Sequence, residues 1–220
     1  TRHNEIFLSG EEARDLVDEM PDVYDEPFTD QSQLPTYMVA RFARTRVTVS
    51  LSGDAADELF AGYGRYHSID RQWQGTLSAR IGRAARRAYV SAQLAGIVAP
   101  AERLGLSRIG RKSPAGLRLR LEEKLASLTA RSAVAAYERK FTLMDTAHRL
   151  VPGSARETHP LADTVAKETG WSVLEQASLL DLVHYLPDDI LVKVDRAAMA
   201  HALETRVPFL DPAVVRFALA

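Results

Sequence analysis

Apolar positions recur along this chain with two periods, and the change from one to the other outlines its elements. Glu5 to Leu8 reads as a short strand. A helix follows from Ser9, a capping residue with Glu11 and Glu12 in the first turn, through Met20, and Pro21 ends it. Asp25-Glu26-Pro27-Phe28-Thr29-Asp30 is rich in turn residues, and from Pro35 to Arg44 the apolar Tyr37, Met38, Phe42 and Ala43 recur at helical spacing. Val47 to Leu51 is β-branched or apolar and predicts a buried strand, which Ser52-Gly53 break before a helix starting at Asp54 or Ala55. Tyr66 to about Met144 is helical in pattern, with interruptions predicted at Gly96, Pro100, Gly105, Gly110, Pro114 and Gly116. Pro152-Gly153 is the clearest later break. Beyond it Leu186, Ile190, Leu191, Val194 and Ala198 return to helical spacing, with Pro187 suited to a helix N-terminus.

At 220 residues the chain is long enough for one large domain or two small ones. A hydrophobic content of 46% and a net charge of -1 describe a globular protein, and no apolar run approaches the ~18 residues that span a bilayer. A cytoplasmic location and no membrane partner are expected. Cysteine is absent, so the chain has no disulfide, thiolate metal site or cysteine nucleophile. The near-zero total hides an uneven distribution: residues 71–140 hold 15 Lys plus Arg against 4 Asp plus Glu. Arg80, Arg83, Arg86, Arg87, Arg108, Arg111 and Lys112 lie there in an Ala/Leu-rich background. Such a stripe touches nucleic acid or an acidic partner, or is the solvated face of amphipathic helices. Trp73, Tyr89 and Tyr137 are too widely spread for a base-stacking platform, so no nucleic acid partner is expected.

Candidate chemistry gathers in two places. The first is Ser52-Gly53-Asp54-Ala55-Ala56-Asp57-Glu58, at the carboxyl end of a predicted strand, where open α/β sheets bind ligands and a helix N-terminus offers N–H groups to an anion. Asp54 and Asp57, three apart on one predicted turn, could share a hard cation or a proton. Helix capping accounts for the same residues without any ligand. The second place is Tyr185-Leu-Pro-Asp-Asp-Ile-Leu-Val-Lys-Val-Asp-Arg196, where Asp189 and Lys193 form an i,i+4 pair. Most of these charges read as ion pairs between helices. Lys193 and Arg196, cations beside clustered carboxylates, are candidates for clamping a polyphosphate. His184 and His201 read as structural.

Leu51-Ser-Gly-Asp-Ala-Ala-Asp-Glu-Leu-Phe-Ala-Gly-Tyr63, Asp25-Glu-Pro-Phe28 with Pro35-Thr36-Tyr37, and Tyr185 to Arg196 continuing to Arg206-Val-Pro-Phe-Leu-Asp211 together resemble the synthetase half of the glutamine-hydrolysing asparagine synthetases. The resemblance runs from one end of the chain to the other, with the Arg-rich middle its least diagnostic part. It implies an α/β domain of the adenine-nucleotide α-hydrolase-like (ATP pyrophosphatase) type, present here as a mostly helical fragment with a few parallel strands. The implied reaction is ATP-dependent activation of the aspartate side chain as β-aspartyl-AMP, then amidation by ammonia from a glutaminase domain absent from residues 1–220. Ser52 and Gly53 then correspond to ATP contacts, Asp57 to the Mg²⁺-associated carboxylate, and Asp54 to an acidic group serving as a base. Glu58, Lys193 and Arg196 are further nucleotide-site candidates, and a homo-oligomer is compatible with this reading.

The chain also departs from the family pattern. No Ser-Gly-Gly-x-Asp-Ser pyrophosphate loop occurs in it, nor the family's further downstream lysine, and without Cys the fragment is not expected to hydrolyse glutamine. Ala55-Ala56 replaces a more usual glycine, and Ala does not easily adopt positive φ. Three alternatives stand beside the main reading: a related amidotransferase or a lactam- or peptide-cyclising synthetase acting on another carboxylate, a non-catalytic helical module, and divalent-metal binding without nucleotide. Asp54 favours the asparagine-type site over lactam formers, which tend to carry Tyr there.

Overall fold

The computed structural model describes residues 3–7, 9–28, 30–109, 113–139, 165, 167 and 170–220. The chain divides into two compact units, Thr1–Gly62 with Asp181–Ala220, and Tyr63–Leu180.

In the first unit the helix predicted from Ser9 appears as three short pieces. These are α1 (Gly10–Asp15), a 3₁₀ turn (Val17–Glu19) and α2 (Met20–Val23). Ser9 closes a capping box, its hydroxyl accepting from the Glu12 N–H and the Glu12 carboxylate accepting from the Ser9 N–H at 2.8 Å. Pro21 does not end the run, because it sits in the first turn of α2, where no intrahelical N–H is required of it. The strand expected at Glu5 to Leu8 is not formed over Glu5–Phe7, which are exposed and in no ladder, and Leu8 lies outside the described residues. Helix α3 (Gln33–Arg44) turns Tyr37 and Ala40 inward.

Strand β1 (Val49–Leu51) precedes α4 (Ala56–Leu59), and the unit resumes at an unusual π-helical stretch, Asp181–Leu191. There follow α11 (Val192–Met199), β2 (Glu204–Arg206), a 3₁₀ turn (Pro208–Leu210) and α12 (Pro212–Ala218). Pro187 lies inside the π stretch rather than at a helix start. The wider π turn accommodates it and changes the angular offset between Asp189 and Lys193 from that of an α-helix.

Strands β1 and β2 pair in parallel with Val49 opposite Glu204 and Leu51 opposite Arg206, the one sheet among the described residues. The strand at Leu51 is not buried as predicted, since Leu51 is 72% and Val49 40% exposed. Two strands of three residues cover little of each other's faces, so β-branched composition here sets backbone conformation without burial.

Three apolar clusters hold this unit. Leu16, Met20, Tyr24 and Tyr37 pack with Ala197, and Ala40 packs with Ala198 and Leu203. Ala55 and Leu59 pack with Leu186 and Ile190. Small residues on α3 and α11 let the two helix backbones approach.

The second unit is helical throughout its described elements: α5 (Gly64–Trp73), α6 (Leu77–Gln93), a π turn (Leu94–Val98), α7 (Ala99–Arg103), α8 (Pro114–Leu128), α9 (Ala133–Glu138) and α10 (Val173–Leu180). Val90, Val98 and Leu121 form a core with Leu94, Leu117, Leu125 and Leu128. Of the predicted interruptions, Gly105 ends α7 at φ +64° and Pro114 opens α8. Gly96 instead lies within the π turn, Pro100 in the first turn of α7 and Gly116 within α8, so helix runs from Leu77 to Arg103. Packing of one apolar face outweighs the ~1 kcal/mol cost of a helical glycine. Gly110, the segment to Met144 beyond Arg139, and Pro152-Gly153 lie outside the described residues.

Candidate functional site

The parallel register places the loops leaving β1 and β2 at the same end of the two strands. The Ser52 N–H donates to the Arg206 carbonyl at 2.9 Å, so pairing extends one residue past the strand before the chain turns. Ser52 Oγ is enclosed from solvent and has no hydrogen-bond partner among the described residues. A buried hydroxyl without a partner is uncommon and marks a position where a ligand atom or water is accommodated.

Asp54 is not on the helix. It lies in the turn, and the N-cap is Ala55 at φ 70°, which caps with no side-chain hydrogen bond. The Asp54 and Asp57 carboxylates therefore do not share one helical turn, and neither is consumed in capping. α4 has only four residues, so its dipole offers an anion little. Ala55 takes the positive φ that its Cβ disfavours by ~1–2 kcal/mol. Its side chain is buried against Leu59, Leu186 and Ile190, which offsets that cost and joins the first motif to the second.

Asp57 is exposed, and its carboxylate lies directly over Gly62. A Cβ built on Gly62 would stand 2.0 Å from Asp57 Oδ1 and 3.2 Å from the Asp57 Cα, and the Gly62 N–H donates to the Asp57 carbonyl at 2.9 Å. Only glycine leaves room for the carboxylate there. Glu58, by contrast, is completely buried.

The two cations of the second motif are ion-paired. Lys193 binds the Asp30 carboxylate, with side-chain exposures of 11% and 18%, in place of the predicted i,i+4 pair with Asp189. Arg196 reaches Asp25 at 2.5 Å. Burial raises the Asp30 carboxyl pKa, but hydrogen bonds from Lys193 and from the Ser32 N–H and hydroxyl outweigh it and hold it below the ordinary 3.8. Desolvation, with the Asp30 charge second, pushes the Tyr24 phenol up to about 12, and its hydroxyl donates to the Lys193 carbonyl at 3.3 Å. The structure thus brings Ser52 to Glu58 against Leu186 and Ile190, while Lys193 and Arg196 fasten the Asp25–Asp30 loop. Sequence spacing gave no role to Asp25, Asp30 or Gly62, and the partner of Lys193 lies 163 residues away.

His184 Nδ1 meets Asp188 at 2.8 Å, and the His201 ring packs against Tyr37 with centroids 4.4 Å apart. Among the described residues no group of three His, Cys, Asp or Glu is arranged to hold a metal ion, and no helix is long and apolar enough to cross a membrane.

The asparagine synthase family model matches residues 1–220. A Mycobacterium bovis protein assigned as a glutamine-hydrolyzing asparagine synthetase is 32% identical over 216 residues, covering 97% of this chain and 30% of that protein. Bacillus subtilis asparagine synthetase [glutamine-hydrolyzing] 1 is 29% identical over 213 residues, covering 91% and 29%. A Methanocaldococcus jannaschii protein similarly assigned is 46% identical over 63 residues, 29% of this chain and 12% of that protein. The chain spans about 30% of the length of the first of these relatives, and no solved structure matches it. With two motifs packed into one unit and the family match running from end to end, the chain belongs to the asparagine synthase family.

Proposed function

We propose that residues 1–220 are part of the synthetase domain of an ATP-dependent, glutamine-hydrolysing asparagine synthase, built on an adenine-nucleotide α-hydrolase-like α/β fold. In this reading the aspartate side chain attacks ATP to form β-aspartyl-AMP and release pyrophosphate, and ammonia from a glutaminase domain outside residues 1–220 displaces AMP to give asparagine. The observation that carries the reading is the loop after β1, where the partnerless Ser52 hydroxyl, an uncapped Asp54 and an exposed Asp57 seated on Gly62 stand within a few residues.

Ser52 Oγ and the Gly53 backbone contact the nucleotide. Asp54 accepts a proton from the attacking ammonia. Asp57 fits Mg²⁺ as a single accessible carboxylate, since this ion is commonly held by one or two carboxylates together with substrate phosphates. When bound, Mg²⁺ supplies charge neutralisation at the phosphates. Lys193 acts as a positioning residue through its part-buried pair with Asp30, and Arg196, whose pair with Asp25 is exposed, remains a candidate for the nucleotide phosphates. Glu58 supports the loop from within. A homo-oligomer and a cytoplasmic location accompany this proposal.

The test is Asp57→Asn in the full-length protein. Aspartate-dependent pyrophosphate release is expected to fall by about 100-fold or more, the scale of losing one preorganised electrostatic group, with glutamine hydrolysis retained. Pyrophosphate release at the unsubstituted rate would remove Asp57 from the site and the reading with it.

A further inference from the structure

The proposed chemistry uses no residue of the basic segment, which builds a concave site of its own. In the second unit a cleft of about 960 Å³ opens between α5, α6 and α8. Five cations line it: Arg71 on α5, Arg86 on α6, Arg120 and Lys124 on α8, and Arg139 just past α9. The spacing of Arg120, Lys124 and Ser127 sets them along one face of α8.

Several cations outside the cleft are paired with carboxylates, while the partly buried Arg83 is met by the Gln72 carbonyl and the Trp73 ring. Arg118, also on α8, is bound by Glu102 and Glu122, and Lys193 and Arg196 by Asp30 and Asp25. None of the five cleft cations has an ion-pair partner among the described residues, although Glu123 shares the cleft. A solvated helix face spreads its charges on a convex surface. Here they converge across a concavity, where the field is focused and like charges repel until an anion arrives. The cleft lies at the upper end of the ~300–1,000 Å³ range of small-molecule sites. Four of the five cations are Arg, whose planar fork grips phosphate oxygens bidentately. Tyr89 lines the cleft as well, 63% exposed, with its hydroxyl accepting from the Gln93 amide at 3.1 Å. Its ring offers a face on which a planar group can stack.

We propose that this cleft binds a small polyphosphate, either an inorganic chain or the phosphate tail of a nucleotide, on residues other than those of the loop after β1. The inference stands independently of the proposed reaction. Calorimetric titration of the chain with inorganic triphosphate at low salt, without magnesium, tests it. One-site binding with a dissociation constant below about 1 mM is expected. Arg86→Gln with Arg120→Gln should weaken it about tenfold or more, and Lys124→Gln should do so in the same direction. Arg80→Gln with Arg103→Gln, exposed cations of the same unit outside the cleft, should change it less than about twofold.

A parallel titration with ATP separates the two sources. Tighter binding than triphosphate that Tyr89→Ala abolishes identifies a nucleotide tail, and equal binding an inorganic chain. No binding of triphosphate, binding unaffected by the cleft substitutions, or binding lost instead in Asp57→Asn would overturn the proposal. So would a single-stranded RNA oligonucleotide that displaces triphosphate and binds at least as tightly.

Discussion

Replacing Lys193 by Met and Asp30 by Asn, singly and together, isolates the ion pair on which the second motif rests. Two charges about 4 Å apart attract by ~4 kcal/mol at an effective dielectric constant near 20. Breaking a fully buried pair costs ~3–5 kcal/mol, and an exposed pair contributes ~0–1 kcal/mol. With Lys193 11% and Asp30 18% exposed, the pair lies toward the buried limit.

The two single substitutions are not equivalent. In Lys193→Met the Asp30 carboxylate keeps its hydrogen bonds from the Ser32 N–H and hydroxyl, both 2.8 Å, so the loss is ~2 kcal/mol. In Asp30→Asn a buried ammonium is left without its counter-charge, so the loss is ~3 kcal/mol. Amide hydrogen exchange on peptides covering α3 and α11 reads this locally, with protection expected to fall about 30-fold and about 150-fold respectively. The coupling between the two sites should be ~2 kcal/mol at neutral pH. Because the Asp30 carboxyl titrates below its ordinary 3.8 in the folded protein, the stability it lends is complete above that value and is lost as pH falls through the folded one. Coupling below about 0.5 kcal/mol at neutral pH would show that the pair is an incidental contact and that Lys193 remains available for a ligand.

Three further outcomes are expected. Gly62→Ala should drive the Asp57 carboxylate from its seat, raising the Mg²⁺ concentration needed for half-maximal pyrophosphate release by the full-length protein about tenfold with far-UV circular dichroism unchanged; an unaltered Mg²⁺ dependence would refute the cradle. Ala202 ends α11 at φ 53°, with Ala202 N–H bonded to the Met199 carbonyl and Leu203 N–H to the Ala198 carbonyl, each 3.0 Å. Since its side chain is exposed, Ala202→Gly should stabilise the chain by ~1 kcal/mol in thermal unfolding, and destabilisation would contradict this. Burial first, then the Arg41 cation, push the His201 imidazole below 6.5 against the pull of Glu19. The folded state therefore resists protonation, so stability present above pH 6.5 is lost as pH falls toward the folded value, and His201→Gln should flatten that part of the profile. An unchanged profile would assign the pH dependence elsewhere.

Local chemistry was legible in the sequence wherever it was decided locally. The Ser9 capping box, helix α3, the strand ending at Leu51 and the turn after it follow from side chains acting on neighbouring backbone. The strand β2 was missed because three residues, Glu204 to Arg206, carry too short an alternation to announce themselves. The π stretch is not legible in the sequence because the apolar spacing of Asp181–Leu191 fits an α-helix nearly as well.

The candidate site divides along the same line. Spacing drew attention to Ser52, Asp54 and Asp57, and the order of the motifs along the chain carried the family resemblance. Only the tertiary structure decided that Asp54 lies off the helix, that Asp57 sits on Gly62, and that Glu58 is interior. It alone showed that Lys193 and Arg196 pair with Asp30 and Asp25, and that five cations spread from Arg71 to Arg139 face one cleft. The sequence by itself determined backbone preferences and the kinds of chemical group available, because those depend on each residue and its near neighbours. Partnership was decided by the fold, because charges and cavities act through distance in space, and residues far apart in the chain become neighbours only once the apolar faces have packed.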